Sequence, residues 1–271
     1  MDTLCRAKVN LTLHVGATLQ DGRWAGYHPV ESLVAFADFG DRLGFAPADA
    51  TSLHIDGPFG GGLRASGDNL VLRALHACAA PPQAVTLDKQ LPVSAGLGGG
   101  SANAAGVLRR FDPDRRVDGA LLGADVPVCR LSRTAMMEGV GERVQAAPGL
   151  GQLPAVLVNP GVAVSTAEVF VTYDLVPRAA EPSRTDRSGD LLSRAYSGTN
   201  DLQGAAIGCA PVIAEVLDAL NETPNCDLAR MSGSGATCFG LYRSDAAAAA
   251  AAKSLAGRGW WARACRIGDP D

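Results

Sequence analysis

The sequence has few of the features that mark nucleic-acid-binding, membrane or secreted proteins. Aromatic residues make up only 5% of its 271 residues, they are not interleaved with arginine clusters, and the formal net charge is −4. These properties argue against a nucleic-acid surface. The N-terminus has no basic segment followed by an apolar core, and no apolar run approaches the ~18 residues that a membrane helix requires. We therefore expect a cytoplasmic protein with no nucleic-acid and no membrane partner.

Disulfide and metal-ligand patterns are missing as well. The seven cysteines show neither CxxC spacing nor a regular rhythm, which predicts buried thiols in a reducing compartment. The four histidines have no paired ligand spacing, so we predict no metal site built by the protein alone. Of the 24 basic residues only three are lysine, namely Lys8, Lys89 and Lys253. In such a background, a lysine within a motif indicates a need for a compact point charge.

The apolar pattern predicts a mixture of strands and helices. With 47% hydrophobic residues the chain can build a full core. Residues 7–16 alternate in the strand sense, which places Lys8 and Asn10 together on one side of a strand. Helical spacing runs over residues 70–79, and a strand over residues 83–91 leads into a glycine-rich loop.

Two further features concern the organisation of the chain. A buried strand that ends at a proline starts a new layer after Gly151, so we predict domains over residues 1–151 and 152–271. The segment 176–198 is rich in proline, serine and arginine. This composition predicts a mobile surface connection.

The glycine-rich loop is the main chemical signal. Residues 91–111 read LPVSAGLGGGSANAAGVLRRF, with four glycines in five residues before a helix that we expect Ser101 to cap. Glycine permits positive φ and leaves room for a ligand, while a first helical turn offers unpaired N–H groups and partial positive charge. Such a loop suits phosphate, whereas a tight turn alone would need fewer glycines.

Two common phosphate-binding loops are excluded by individual residues. A Walker A motif needs a lysine before its final serine, but Gly100 is followed directly by Ser101. A dinucleotide fingerprint needs glycine at position 101 and an acidic strand end about 20 residues further on, and neither is present. Neither of these two loops therefore fits, and from the residues alone a tight turn that packs close to a strand remains the alternative to a phosphate site.

Three motifs in order resemble those of the GHMP kinases, which include galactokinase, homoserine kinase and mevalonate kinase. PVSAGLGGGSANAA resembles the phosphate loop of this family, SGSGATCFGLY its C-terminal glycine motif, and AKVNLTLHV its N-terminal strand motif. The resemblance implies a two-domain α+β fold with the active site in the cleft between the domains. It also implies ATP-dependent phosphorylation of a small-molecule alcohol, with Mg²⁺ arriving on ATP.

The resemblance assigns roles to individual residues. Asp125, in GADVPVC, matches a catalytic aspartate that accepts the proton of the attacking hydroxyl, and Lys8 matches its partner lysine. From the residues alone, a surface lysine and a helix-capping aspartate remain open alternatives. The residues implied to bind ATP are Pro92, Val93, Ser94, Ala95, Gly96, Leu97, Gly98, Gly99, Gly100, Ser101 and Ala102. Whether Ser101 also contacts Mg²⁺ is left open.

Further segments, among them GYHPVESL and NPGVAVSTAEVF, imply that the alcohol is linked to cytidine diphosphate. Tyr27 and Phe170 match aromatics on opposite faces of the cytosine ring. His28 matches a residue that bonds to the base, Thr166 a nearby polar contact, and Asn10 a further substrate ligand. The expected partner is thus a small molecule, with at most a weak homodimer.

Departures from the family pattern leave two alternatives open. Extra residues separate Asp21 and Gly22 from Tyr27, the connection over residues 112–122 is short, and Ala102 replaces a second serine of the loop. The first alternative is a GHMP kinase of the homoserine or mevalonate type, although those substrates have no base to stack. The second is a nucleotide-binding relative without catalysis, for which a retained lysine and aspartate have no use.

Overall fold

Strands and helices are interspersed along the whole chain. The computed structural model describes residues 2–183 and 189–269. Its strands are β1 (Thr3–Asn10), β2 (His14–Val15), β3 (Val30–Pro47), β4 (Ser52–Asp56), β5 (Gln83–Asp88), β6 (Ala135–Glu138), β7 (Arg143–Ala146), β8 (Gln152–Asn159), β9 (Cys226–Met231), β10 (Cys238–Tyr242) and β11 (Trp261–Gly268). Its helices are α1 (Leu70–Ala77), α2 (Gly99–Phe111), α3 (Val126–Leu131), α4 (Thr166–Tyr173), α5 (Leu191–Ser197), α6 (Gln203–Cys209), α7 (Val212–Asn221) and α8 (Asp245–Ala256).

The long strand β3 organises the N-terminal half. Its 18 residues pair antiparallel with β1, β2, β5 and β6, and β4 adds to β5 in parallel. In the C-terminal half β8 lies between β10 and β11, and β9 pairs with β10. The result is a mixed α/β architecture.

The last strand joins the two halves. β11 pairs with β8 from Trp261 to Gly268, and Ile267 also pairs with Ala37 of β3. The sheet therefore continues in the order β4-β5-β3-β11-β8-β10-β9. Because hydrogen bonds cross the proposed boundary, the division into residues 1–151 and 152–271 stays a prediction.

Three apolar clusters form the core. One lies under α1, α2 and α3 and includes Leu108, and a second lies under α4, α6, α7 and α8 and includes Tyr173. The third combines Leu97 of the glycine-rich loop with Leu157 of β8 and Phe239 of β10. The loop is thereby anchored in a core to which both halves contribute.

The start of α2 differs from the sequence-based expectation. The prediction that Ser101 caps this helix is wrong, because the helix begins at Gly99 and its N-cap is Gly98, which makes no side-chain cap. Gly98 has a left-handed φ of 61°, which glycine adopts without steric cost. The helix thus starts earlier than a serine cap would allow.

The first predicted strand is also interrupted. β1 ends at Asn10, and pairing resumes only at His14 in β2. The polar side of this segment is buried, with Lys8, Asn10 and Thr12 exposed by 5%, 2% and 0%. A buried row of polar side chains requires partners inside the protein.

The segment predicted to be a mobile connection is partly ordered. Residues 191–197 of the stretch 176–198 form α5, and the N–H of Ala17 donates to the carbonyl of Ala179. Residues 184–188, the centre of that stretch, lie outside the described residues. The expectation of a mobile connection is therefore wrong for α5.

The cysteines and helices bear on the remaining composition-based expectations. Cys5, Cys129 and Cys238 are buried and three more are half-buried, but Cys209 is exposed, so the prediction of buried thiols is wrong for Cys209. Over residues 2–183 and 189–269, no helix combines the length and apolarity needed to cross a membrane.

Candidate active site

Two glycine loops meet at the end of β1. We call residues 92–102 the phosphate loop and residues 232–235 the second glycine loop. The Ser232 hydroxyl donates to the Gly96 carbonyl at 2.9 Å and accepts from the Asn10 N–H at 3.1 Å. The Lys8 N–H donates to the Leu97 carbonyl at 2.9 Å. The Ser232 hydroxyl and one backbone hydrogen bond therefore hold β1 and both loops at one point.

Gly96 is required by this close approach. Its φ is +72°, and a Cβ placed on it would lie 2.2 Å from the Ser232 carbonyl oxygen. No larger residue fits without separating the loops. The glycine-rich sequence thus serves packing between the loops as well as access for a ligand.

The N-terminus of α2 is a suitable anion site. The first intrahelical hydrogen bond runs from the Ala102 N–H to the Gly98 carbonyl at 2.8 Å. The N–H groups of residues 99–101 therefore have no acceptor within the helix and carry the positive end of its dipole. Gly100 and Ser94 are exposed and Gly98 is half-buried, so the loop is accessible from solvent.

A second lysine, which the sequence reasoning did not assign, lies below the phosphate loop. Lys89 Nζ lies 2.6 Å from Asp41 Oδ2, and both side chains are buried. Asp41 Oδ1 accepts the N–H groups of Gln90 and Leu91, at 2.8 and 2.9 Å. A Cβ on Gly99 would lie 3.0 Å from Lys89 Nζ. This ion pair holds in place the segment that leads into the phosphate loop. In the sequence it is marked only by a lysine, a rare residue in this chain, just before the loop.

Lys8 and Asp125 are brought together. Lys8 Nζ donates to Asp125 Oδ2 at 2.8 Å, and the side chains are exposed by 6% and 34%. Asp125 occupies the N-cap position of α3, but its carboxylate makes no capping hydrogen bond. The structure therefore excludes both a surface lysine and a helix-capping aspartate. It places a half-exposed carboxylate on a buried ammonium.

The pair lies next to the phosphate loop. A Cβ on Gly98 would lie 3.3 Å from Lys8 Cβ and Cε and 3.7 Å from Cys129 Sγ. Burial raises the pKa of the Cys129 thiol far above its ordinary value, and the charge of Asp125 adds to the rise. The thiol is therefore neutral and does not compete with Asp125 as a base.

Asn10 presents an unpaired acceptor. The Ser32 hydroxyl donates its only proton to the Thr12 carbonyl, so it must accept from Asn10 Nδ2, which lies 2.8 Å away. This fixes the orientation of the amide. Among residues 2–183 and 189–269, the buried Asn10 Oδ1 then has no hydrogen-bond partner, which is costly unless a ligand supplies a donor.

The residues expected to contact the cytosine base are arranged in two groups. The His28 and Phe170 rings stack at 4.5 Å, and Tyr27 packs edge-on against Trp24 at 5.4 Å. The Tyr27 side chain is half-exposed, with 51% accessible. The Thr166 hydroxyl lies 2.8 Å from the Ser234 hydroxyl, which ties the start of α4 to the second glycine loop.

His28 has two further partners that the sequence reasoning missed. Its Nε2 lies 2.9 Å from Asp174 Oδ1 and 2.9 Å from Thr18 Oγ1. Asp174 follows α4 and is 146 residues from His28 in the chain. No local motif links residues so far apart.

A protein-built metal centre has no candidate among the residues described. Over residues 2–183 and 189–269, no group of three His, Cys, Asp or Glu side chains could hold a metal ion. Ser101 Oγ lies 3.8 Å from where a Cβ on Gly123 would stand, close to the segment that carries Asp125. One hydroxyl at the helix start fits a magnesium ion that takes most of its ligands from phosphates and water.

Comparisons with known proteins show which family this chain resembles. The models of the GHMP kinase N-terminal domain and C-terminal region match residues 69–112 and 179–259. The 4-diphosphocytidyl-2-C-methyl-D-erythritol kinase of Caulobacter vibrioides strain NA1000 is 43% identical over 96% of this chain and 97% of its own. That of Cereibacter sphaeroides strain ATCC 17025 is 45% identical over 98% and 99%.

A solved structure gives the same result. A crystal structure of 4-(cytidine 5'-diphospho)-2C-methyl-D-erythritol kinase superimposes with a TM-score of 0.76 at 32% identity, covering 100% of both chains. The similarity extends beyond the three motifs named in the sequence analysis to the whole length. The chain therefore belongs to the GHMP kinase family.

Proposed function

We propose that the protein transfers the γ-phosphoryl group of ATP to the 2-hydroxyl of 4-diphosphocytidyl-2-C-methyl-D-erythritol, a step in the non-mevalonate route to isoprenoid precursors. Whole-length similarity to kinases of that name supports the substrate. The observation that carries the chemistry is the Lys8–Asp125 pair, at 2.8 Å, beside the N-terminus of α2. We place the site in the cleft between residues 1–151 and 152–271, where the two glycine loops meet.

ATP binds through the phosphate loop in this proposal. The unpaired N–H groups of residues 99–101 face phosphate oxygens, and the remaining residues of 92–102 shape the loop around them. Magnesium bound to ATP would neutralise charge on the phosphates, and the Ser101 hydroxyl would be available to it as a ligand. Lys89 and Asp41 hold the loop in place from below.

Asp125 accepts the proton of the attacking hydroxyl. As the oxygen forms its bond to the γ-phosphorus, the bond from that phosphorus to the β,γ-bridging oxygen breaks, and the hydroxyl proton passes to the carboxylate. Lys8 holds the carboxylate in place and lies beside the charge that develops on the transferred group. Asn10 Oδ1, which has no partner in the part of the chain that the structure describes, accepts a hydrogen bond from the substrate.

In this proposal the cytosine base is recognised by residues of α4 and by residues that pack near it. His28 bonds to the edge of the cytosine, and Tyr27 and Phe170 lie on opposite faces of the base. The His28 and Phe170 rings are 25° from parallel, so a base bonded in the plane of the imidazole would also be close to parallel with the Phe170 ring. Thr166 supplies a polar contact near the second glycine loop.

The proposal is tested by a substitution that removes the proton-accepting carboxylate of Asp125 while keeping the shape of the side chain. Asp125→Asn lowers kcat by about 10² to 10⁴, the usual contribution of a positioned general base, and changes ATP and substrate KM by a few-fold at most. Asp114→Asn is the matched control, since Asp114 is 68% exposed and pairs only with Arg116 among the described salt bridges. Single-turnover rates near the parental value in Asp125→Asn contradict the assignment of the base.

A further inference from the structure

The partners of His28 form a closed hydrogen-bond group. His28 Nε2 is 2.9 Å from both Asp174 Oδ1 and Thr18 Oγ1, and the Thr18 hydroxyl donates to Asp174 Oδ2 at 2.9 Å. His28 is 8% exposed. Phe170 covers one face of the imidazole, and Tyr173 meets it edge-on with centroids 6.2 Å apart. The ring is thus held in position by contacts on several sides.

Counting protons fixes the tautomer of this ring. The single hydroxyl proton of Thr18 is given to Asp174, so Thr18 Oγ1 can only accept from His28. An ionised Asp174 also only accepts. Both neighbours of Nε2 are therefore acceptors, and Nε2 must carry the proton. In a neutral imidazole, Nδ1 is then an acceptor.

The charge state of Asp174 supports this count. Burial alone would raise the pKa of Asp174, but the hydrogen bonds from His28 and Thr18, together with the charge of His28 when that ring is protonated, outweigh it and lower the pKa below its usual value. Arg178, which stacks on Tyr173 at 4.0 Å, contributes in the same direction. Asp174 is thus ionised at neutral pH. Its carboxylate is not used on the backbone of α4, because the helix end is capped by its own N–H.

We infer that Asp174 and Thr18 are positioning residues that select cytosine over uracil by holding His28 with an unprotonated Nδ1. Cytosine carries an amino donor at C4, whereas uracil carries a carbonyl acceptor there. An imidazole whose unprotonated nitrogen is an acceptor accepts a hydrogen bond from the amino group. The same nitrogen is repelled by the carbonyl oxygen, which is also an acceptor. The inference rests on the proposed function, since it specifies how the same site recognises its base.

The inference gives Asp174→Asn a specific consequence. The asparagine amide can donate to Nε2, which moves the imidazole proton to Nδ1 and turns that nitrogen into a donor. The altered ring donates from Nδ1 to a carbonyl at C4 and no longer favours the amino group. A loss of packing alone would weaken binding of both bases equally. The two explanations therefore predict different ratios of the affinity for the cytosine substrate to that for the uracil substrate.

The kinetic test compares two synthetic substrates, the cytidine and uridine diphosphate esters of methylerythritol. We expect the parent enzyme to prefer the cytidyl ester in kcat/KM by about 100-fold, as befits one well-placed base contact. In Asp174→Asn the preference falls below about 5-fold, through KM, while kcat with the cytidyl ester stays within about 3-fold. Thr18→Val shows a smaller loss. Glu168→Gln, an exposed position on α4, keeps the parental ratio.

A spectroscopic readout accompanies the kinetics. Protein labelled with ¹⁵N-histidine gives separate signals for protonated and unprotonated ring nitrogens, and His28→Gln assigns those of His28. We expect Nε2 to be protonated and Nδ1 unprotonated in the parent, with the reverse in Asp174→Asn. A parental His28 protonated on Nδ1 overturns the inference.

The outcomes separate the inference from the proposed function. A parent enzyme that phosphorylates the cytidyl ester, together with an Asp174→Asn variant that keeps the full base preference, overturns the inference alone. A parent enzyme that does not phosphorylate the cytidyl ester overturns both. Because Asp174 is 41% exposed, its replacement leaves the fold intact for either measurement.

Discussion

A methyl group at Gly96 separates the two glycine loops on which the account depends. The added Cβ would lie 2.2 Å from the Ser232 carbonyl oxygen and 3.0 Å from the backbone of Gly235. Ordinary contacts of this kind begin near 3.4 Å, so relief requires a shift of about 1 Å in one loop. Both neighbours are backbone, which cannot turn aside as a side chain would. The phosphate loop therefore moves away from the position in which Lys8 and Asp125 meet it.

The loss of folding stability expected for Gly96→Ala comes from two separate effects. Alanine in the left-handed region costs about 1–2 kcal/mol, and the clash adds about 1–3 kcal/mol, as overpacking usually does. Gly259→Ala is the matched control, because Gly259 has φ +84° but nothing within 4 Å of an added Cβ. A displacement of about 1 Å near reacting groups lowers kcat/KM by about 100-fold.

The assay combines thermal unfolding with steady-state kinetics. One kcal/mol corresponds to about 2–4 °C in Tm for chains of this size, so we expect Gly96→Ala to unfold well below Gly259→Ala. Only Gly96→Ala loses kcat/KM for ATP. Equal Tm values for the two variants, with parental kinetics in both, would refute the reasoning that the loops touch through bare backbone.

Three further predictions concern catalysis, recognition and acid stability. Lys8→Ala lowers kcat. Because the pair acts as a unit, the Lys8→Ala/Asp125→Asn double variant loses much less in kcat than the product of the two single losses. Single-turnover rates measure these losses, and multiplicative losses contradict the prediction. Tyr27→Ala and Phe170→Ala each raise KM for the cytidyl substrate by the equivalent of about 1–3 kcal/mol with ATP KM unchanged, and parental KM values in both place the base elsewhere. Burial opposes ionisation of Asp112, yet two backbone N–H groups and a guanidinium lower the pKa of its carboxyl. That stability is present above the unfolded pKa and is lost as the pH falls through the folded pKa. Asp112→Asn is therefore destabilised at pH 7 and approaches the parent below about pH 4, which urea unfolding across pH measures; a gap independent of pH contradicts it.

Much of the site could be predicted because its residues lie within local motifs. The glycine pattern of residues 96–100 predicted a helix start with accessible backbone, and α2 begins at Gly99. Anion binding at this helix start stays a prediction. Alternation over residues 7–16 predicted that Lys8 and Asn10 share one side of a strand, and both end beside the loops. Such features depend on spacing along the chain, which the sequence displays directly.

Other features depend on contacts between distant segments and could not be predicted. The Lys89–Asp41 pair spans 48 residues, and its partners carry no motif that links them. The contact from Asp174 to His28 spans 146 residues. The cap of α2 was mispredicted because serine is a common N-cap. The N-cap is instead Gly98, which adopts a left-handed φ and on which a Cβ would lie 3.3 Å from the Lys8 side chain. Tertiary packing overrides local preference in each case.

The central claim is that this site phosphorylates a cytidine-diphosphate-linked methylerythritol with ATP. The most direct measurement is ADP release by the purified protein with ATP, Mg²⁺ and, in separate reactions, 4-diphosphocytidyl-2-C-methyl-D-erythritol, homoserine or mevalonate. The account predicts ADP release, with one phosphoryl group recovered on the alcohol per ADP, for the cytidyl substrate alone. Release that is equal or faster with homoserine or mevalonate, or absent with all three, would contradict it.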